Sequence, residues 1–122
     1  MPRILLDANM PVGLRAILPD HEVVTAFDMG WGALTNGELL AAAEAAGFDA
    51  MITGDQNISY QQNLSSRTLA LVVVETNHLP TLQDNAKQIE LATKTATKGS
   101  YQAVAFDRVP LRRRPYPPRT TN

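Results

Sequence analysis

The chain has 122 residues, of which 44% are hydrophobic, and its formal net charge at pH 7 is −1. This length supports one domain with a buried core and is too short for two conventional domains. The absence of cysteine excludes disulfides and thiolate metal sites, and it leaves oxygen and imidazole ligands, which favour hard cations. Because no apolar run approaches about 18 residues and the N-terminus lacks the features of a signal peptide, we expect a cytoplasmic protein with no membrane partner.

Charge is distributed unevenly along the chain. Residues 108–122 contain five arginines, four prolines and no acidic residue, so they carry +5 and leave −6 on residues 1–107. This composition predicts an extended or disordered tail after a single domain of residues 1–107. Two interpretations of the tail stay open. It is either a solubilising terminus or an arm that binds nucleic acid or an acidic partner through Arg112, Arg113 and Arg114.

Strand-like and helix-like segments alternate through the first half of the chain. Residues 3–7 form an apolar run typical of a strand buried on both faces, and residues 10–18, with a proline near the start, predict a helix. Residues 21–26 predict a second strand. The clearest helix covers residues 35–47, where Thr35-Asn36-Gly37-Glu38 fits a capping box and Gly47 is the stop signal.

The second half continues the alternation. Residues 49–53 and 69–75 predict the third and fourth strands, residues 79–99 a single long helix, and residues 101–106 a fifth strand. Strands that alternate with helices over short connections predict a parallel sheet covered on both faces. The predicted fold class is therefore α/β: a three-layer α/β/α sandwich with a mainly parallel sheet of four or five strands.

Polar residues follow the predicted strands. In an open parallel sheet, ligands bind beyond the carboxyl ends of the strands, where the strand order reverses. These positions hold Asp7 and Asn9 after the first strand, Asp55 and Asn57 after the third, and Glu75, Thr76 and Asn77 after the fourth.

The two aspartates predict a divalent cation site. Asp7 and Asp55, at the ends of parallel strands, would lie within roughly 5–10 Å of each other, which suits Mg²⁺ or Mn²⁺ and the activation of water against a phosphodiester. The alternative is that both are ordinary turn or cap residues. Glu38 has the same two interpretations, because the capping box explains it and the sheet edge would make it a third acidic ligand.

Other polar and aromatic residues are candidates for substrate contact. Trp31, between two glycines, is a stacking platform for a base or a core anchor. The polar run Tyr60, Gln61, Gln62 and Asn63 either contacts nucleic acid or forms a hydrogen-bonded surface loop. His21 and His78 lack any ligand spacing, and we expect both at the surface.

Three segments together resemble a known family. "RILLDANMP", "WGALTNGELLAAAEAAGFDAMITGDQNI" and "YQQNL", within about residues 3–80, are similar to small PIN-like proteins of unknown function. These are distant relatives of the PIN-domain ribonucleases that act as toxins in bacterial toxin–antitoxin pairs. The resemblance implies a Mg²⁺- or Mn²⁺-dependent nuclease that cleaves single-stranded RNA. An antitoxin or another protein partner is also implied, and a homodimer is a candidate assembly.

Carried over by position, the resemblance assigns catalysis and metal binding to Asp7, Glu38 and Asp55. Asn57 is a further candidate ligand through its amide oxygen, and Asn9 is a candidate nucleic-acid contact. This chain has Ala8, Asn36 and Asn57 where the family usually has acids. Amide oxygens coordinate Mg²⁺, but the loss of negative charge lowers the affinity of the site for a hard cation. A non-catalytic RNA- or partner-binding module is thus a second hypothesis. A receiver-like phospho-acceptor domain, built on Asp7, Asp55 and Thr76, is a third.

Overall fold

The computed structural model describes residues 2–55, 67–104 and 106. The strands in this part of the chain are β1 (Arg3–Leu6), β2 (Glu22–Thr25), β3 (Ala50–Thr53), β4 (Ala70–Val73) and β5 (Tyr101–Ala103). The helices are a 3₁₀ helix (Val12–Ile17), α1 (Asn36–Ala45), α2 (Leu79–Asp84) and α3 (Ala86–Thr95). In the described ranges, no helix combines the length and the apolar character needed to cross a membrane.

All five strands belong to one parallel sheet with the order β2-β1-β3-β4-β5. The predicted α/β class with a parallel sheet is confirmed. The chain runs from β1 to β2 on one side and then returns to place β3 on the other side of β1. The strand order therefore reverses between β1 and β3, and their carboxyl ends form the switch point where such sheets bind ligands.

Alternate side chains of the strands enter two separate apolar clusters, which explains the continuous apolar runs in the sequence. One cluster joins Ile4, Leu6, Ile52 and Val72 to side chains of the 3₁₀ helix, α2 and α3, among them Leu14, Leu82 and Ile89. The other joins Leu5, Met51 and Leu71 to Leu39, Leu40 and Ala43 of α1 and to Phe48. Each face of the sheet is thus covered by helices.

The predicted start of α1 is confirmed. Thr35 is the N-cap, its hydroxyl accepts the Glu38 N–H at 3.4 Å, and the Glu38 carboxylate accepts the Thr35 N–H at 2.9 Å. These reciprocal bonds satisfy two backbone donors at the helix start. Gly47, just beyond α1, has a φ of 84°, a backbone conformation that favours glycine.

The prediction of one helix over residues 79–99 was wrong, because α2 and α3 are separated at Asn85. The Asn85 side chain is buried, and its Nδ2 donates to the Thr81 carbonyl at 2.9 Å. An asparagine that bonds to nearby backbone offers the chain an alternative to continuous helix. Residues 12–17 are helical as predicted but form a 3₁₀ helix, which ends just before Pro19.

Two other sequence interpretations are resolved by burial. His21 is only 7% exposed, so its expected surface position was wrong, whereas His78 is exposed as predicted. Trp31 is partly buried against the α1 side of the sheet and packs edge-on against Phe48, with 6.2 Å between ring centroids. Trp31 is therefore a core anchor.

A half-buried ion pair joins the C-terminal half of α1 to the segment that leads into β4. One carboxylate oxygen of Glu44 accepts from Arg67 at 2.7 Å, and the other accepts the N–H groups of Thr68 and Leu69. Burial raises the pKa of this carboxyl, but the bonds from Arg67, Thr68 and Leu69 outweigh it and leave the pKa below its ordinary value. Glu44 thus fixes where the chain enters β4.

We expect Glu44→Gln to lower the free energy of unfolding by about 1.5–3 kcal/mol at pH 7, because hydrogen bonds to a charged group are lost. The matched control is Glu22→Gln, which removes a more exposed ion pair with Arg3 at 3.6 Å and should cost about 0–1 kcal/mol. Urea denaturation followed by circular dichroism measures both.

The effect of Glu44→Gln should depend on pH. Since the folded-state pKa of Glu44 is lowered, its stabilisation is complete above the ordinary value of 4.5 and is lost as the pH falls through the folded-state pKa. The stability difference between wild type and Glu44→Gln should therefore shrink below about pH 4.5. A difference that is constant down to pH 3 would contradict this role of the ionised carboxylate.

Candidate functional site

At the switch point between β1 and β3, Thr53 is hydrogen-bonded to both Asp7 and Asp55. The Thr53 hydroxyl donates to Asp7 Oδ2 at 2.6 Å and accepts the Asp55 N–H at 3.0 Å. Thr53 is fully buried, whereas both aspartates are half-buried. The structure thus brings together the two aspartates that the sequence singled out, and it connects them through a residue fixed in the sheet.

Backbone hydrogen bonds hold Asp7 in place. The Asp7 N–H donates to the Ile52 carbonyl at 3.0 Å, which extends the pairing of β1 with β3 by one residue. The other oxygen of Asp7, Oδ1, accepts the Ala8 N–H at 2.7 Å. Because these contacts fix the backbone and the rotamer of Asp7, its carboxylate is preorganised at the edge of the sheet.

The N-terminus of α1 approaches the same edge through Asn36. Its Nδ2 donates to Asp55 Oδ2 at 2.9 Å. The positive end of the helix dipole lies at this terminus and favours nearby negative charge. The residue of α1 that contacts the aspartate pair is therefore Asn36, one of the positions where the resembling family usually has an acid.

Glu38 lies on the same turn of α1 but is engaged differently. Its carboxylate accepts the Thr35 N–H in the capping box, and this backbone hydrogen bond lowers the pKa of Glu38. Within the described residues, Glu38 contacts neither Asp7 nor Asp55. The capping interpretation of Glu38 is observed directly, and its role as a ligand stays a prediction.

The segment after β4 joins this edge as well. Asn77 Nδ2 donates to the Asn9 carbonyl at 3.1 Å, and the Asn9 amide lies beside Gly54. Three connections, after β1, β3 and β4, therefore converge around Gly54. Asn9 is exposed, which leaves its side chain accessible from solvent.

The donor set fits a weakly held hard cation. In residues 2–55, 67–104 and 106, no group of three or more His, Cys, Asp or Glu side chains is arranged to hold a metal. Mg²⁺, however, is commonly held by one or two carboxylates together with waters and substrate phosphates. Asp7 and Asp55 supply two carboxylates on one edge, so they fit this mode of binding.

A cavity of about 360 Å³ opens beside Asp7, between the connections that follow β1 and β2. It is lined by Asp7, Ala8, Met10, Val12, Thr25, Phe27 and Asp28. Sequence analysis did not single out Phe27, whose side chain is 79% exposed. Its position directly after β2, at the edge of the sheet that also carries Asp7, could have indicated from the sequence that Phe27 lies near the site.

Several predicted contacts lie outside the described residues. These are Asn57, Tyr60, Gln61, Gln62 and Asn63 after β3, and Arg112, Arg113 and Arg114 in the tail. Comparisons of the chain with known protein families, with curated proteins and with solved structures gave no match.

Thr53→Val should destabilise the protein by about 1–3 kcal/mol, because the half-buried Asp55 N–H and the Asp7 carboxylate lose a hydrogen-bond partner. Thr53→Ser keeps the hydroxyl and should cost about 1 kcal/mol for the missing methyl group. Urea denaturation measures the loss of stability, and Mn²⁺ titration tests the site. We expect the serine variant to retain Mn²⁺ binding and the valine variant to weaken it. Equal behaviour of the two variants would show that the hydroxyl does not organise the aspartates.

Proposed function

We propose that this protein is a PIN-like, Mg²⁺- or Mn²⁺-dependent ribonuclease that cleaves single-stranded RNA. The observation that carries this proposal is the hydrogen-bonded arrangement of Asp7, Thr53 and Asp55 at the switch point of a parallel sheet. Its support is the convergence of two carboxylates on the edge where α/β sheets bind ligands, together with the sequence resemblance.

The proposed chemistry assigns distinct tasks to the residues. The chemistry that a divalent cation would supply here is the activation of water and the neutralisation of charge on the phosphate. Asp7 and Asp55 are the carboxylates that hold the cation. Thr53 positions both of them, and Asn36 orients Asp55 through its 2.9 Å hydrogen bond. Glu38 caps α1 and so fixes the helix that carries Asn36.

The absence of acids at Ala8 and Asn36 predicts weak cation binding in the free protein. Asp7 and Asp55 would then need substrate phosphates and waters as further ligands of the cation. As a toxin-like nuclease the protein would also have an antitoxin or another protein partner, and assembly as a homodimer belongs to the same proposal.

Asp55→Asn should weaken Mn²⁺ binding at least about tenfold, because even residues behind the direct ligands of a metal contribute about 10- to 100-fold. Calorimetric titration of the wild type should give saturable binding at about millimolar or tighter. Asp20→Asn is the matched control, since Asp20 is an exposed acid just before β2, at the opposite edge of the sheet. Glu38→Gln is the second control, because glutamine preserves a capping box while it removes the charge.

The same three variants can be tested for activity. Asp55→Asn should abolish metal-dependent cleavage of a single-stranded RNA, and the controls Asp20→Asn and Glu38→Gln should retain it. Loss of Mn²⁺ binding in Glu38→Gln would make Glu38 a third ligand. If the wild type binds no Mn²⁺ either alone or with RNA, the nuclease proposal fails and a metal-independent binding module replaces it. Labelling of Asp55 by acetyl phosphate would instead favour the receiver-like alternative, whose strand order is the one observed here.

The arginine tail should provide the salt-dependent part of RNA binding. Replacing Arg112, Arg113 and Arg114 together by glutamine should reduce the slope of log affinity against log salt by about 2, since each single-strand phosphate contact contributes about 0.7. The control replaces Lys87, Lys94 and Lys98, three exposed cations in and after α3, in the same way. Equal slopes for the two triple variants would show that the tail does not contact the phosphates.

A further inference from the structure

The cavity beside Asp7 has one apolar side and one acidic side. Phe27 and Val12 are 79% and 58% exposed, whereas Met10 is buried. Asp7 and Asp28 supply carboxylates to the same cavity, and Asp28 also forms an exposed ion pair with Arg15 at 3.5 Å. A single exposed apolar residue needs no explanation, but two of them around a concave space next to a candidate active site indicate a binding surface.

Phe27 is displayed on an ordered turn. The Ala26 N–H donates to the Leu6 carbonyl at 2.8 Å, which anchors the turn to β1. The Gly30 N–H donates to the Phe27 carbonyl at 3.0 Å, and the Trp31 N–H donates to the Ala26 carbonyl at 2.9 Å. These backbone hydrogen bonds fix the turn that exposes the Phe27 ring, whereas the nearby Trp31 ring packs against the core.

The chemistry of the lining narrows the class of ligand. The carboxylates of Asp7 and Asp28 give the cavity an acidic side, which favours an uncharged group over an anionic one. An exposed aromatic ring favours a flat partner that stacks on it, and ionised carboxylates accept hydrogen bonds from N–H donors. An unpaired nucleobase meets all three conditions. A base inside a duplex is also uncharged, but it offers neither a free face nor free N–H donors, because its faces and its pairing edge are already occupied.

We propose that this cavity binds an unpaired nucleobase, stacked on Phe27, of the RNA strand whose phosphate lies at Asp7 and Asp55. The inference rests on the proposed nuclease function and names the feature that makes it specific for single strands. Asp7 belongs to both the cavity and the aspartate pair, so the base would lie next to the phosphate at the metal. Phe27 is then a binding residue and not a catalytic one.

The test measures binding of a fluorescein-labelled, unstructured RNA hexamer by anisotropy, with Ca²⁺ in place of Mg²⁺. Phe27→Ala should weaken binding about five- to hundredfold, the effect of losing one base–aromatic stack. Phe27→Tyr keeps the ring and should bind within about threefold of the wild type. Leu91→Ala is the matched control, because Leu91 is 63% exposed on α3 and does not line the cavity.

Comparison with a duplex RNA of the same length completes the test. Phe27→Ala should leave the weaker duplex binding unchanged. The inference is overturned if Phe27→Ala binds the hexamer like the wild type, if Leu91→Ala loses as much, or if the duplex is affected equally. It is also overturned if Phe27→Ala leaves hexamer binding unchanged and lowers the sedimentation coefficient of the protein alone, which would assign the surface to contact with a second copy of this chain. Binding is measured without cleavage, so the two proposals can fail separately. If the protein cleaves no RNA but still binds the hexamer through Phe27, the proposed nuclease function fails and the base-binding inference stands.

Discussion

The candidate site depends on the parallel pairing of β1 with β3. This pairing continues one residue beyond β1, where the Asp7 N–H donates to the Ile52 carbonyl, and it places Thr53 beside Asp7. The chain has to cross from β2 to the far side of β1 to make the pairing, and this crossing creates the reversal in strand order. A fold in which β3 paired with β2 instead would separate the two aspartates, even though every strand kept its local sequence.

Thr53 belongs both to the buried sheet and to the candidate site. A fully buried hydroxyl costs free energy unless it is hydrogen-bonded, and Thr53 uses its hydroxyl both as a donor and as an acceptor. Replacement of either partner would leave a polar group without its bond. The same contacts that satisfy the buried hydroxyl therefore fix the Asp7 carboxylate and the Asp55 backbone at the end of the sheet.

Local sequence patterns predicted most of this architecture. The apolar runs indicated the strands, and the Thr35–Glu38 spacing indicated the capping box, because both signals lie within a few residues. The division at Asn85, the burial of His21 and the contact of Asn36 with Asp55 were not predictable in this way. Each depends on which distant segments pack together. The position of Asp7 and Asp55 at one edge of the sheet was predictable, because parallel sheets bind ligands just after the ends of their strands and the strands are visible as apolar runs in the sequence.

Charge links the aspartate pair, the cavity and the tail. Residues 1–107 carry −6, so an RNA strand would be repelled by the domain that holds the proposed active site. Positive charge has to come from elsewhere, and the chain contains five arginines after residue 107. In the proposed function, a divalent cation at Asp7 and Asp55 would add to it. If both proposals hold, the two parts of a nucleotide would bind at different places. The phosphate would be attracted to the cation, and the uncharged base would stack on Phe27 in the acidic cavity.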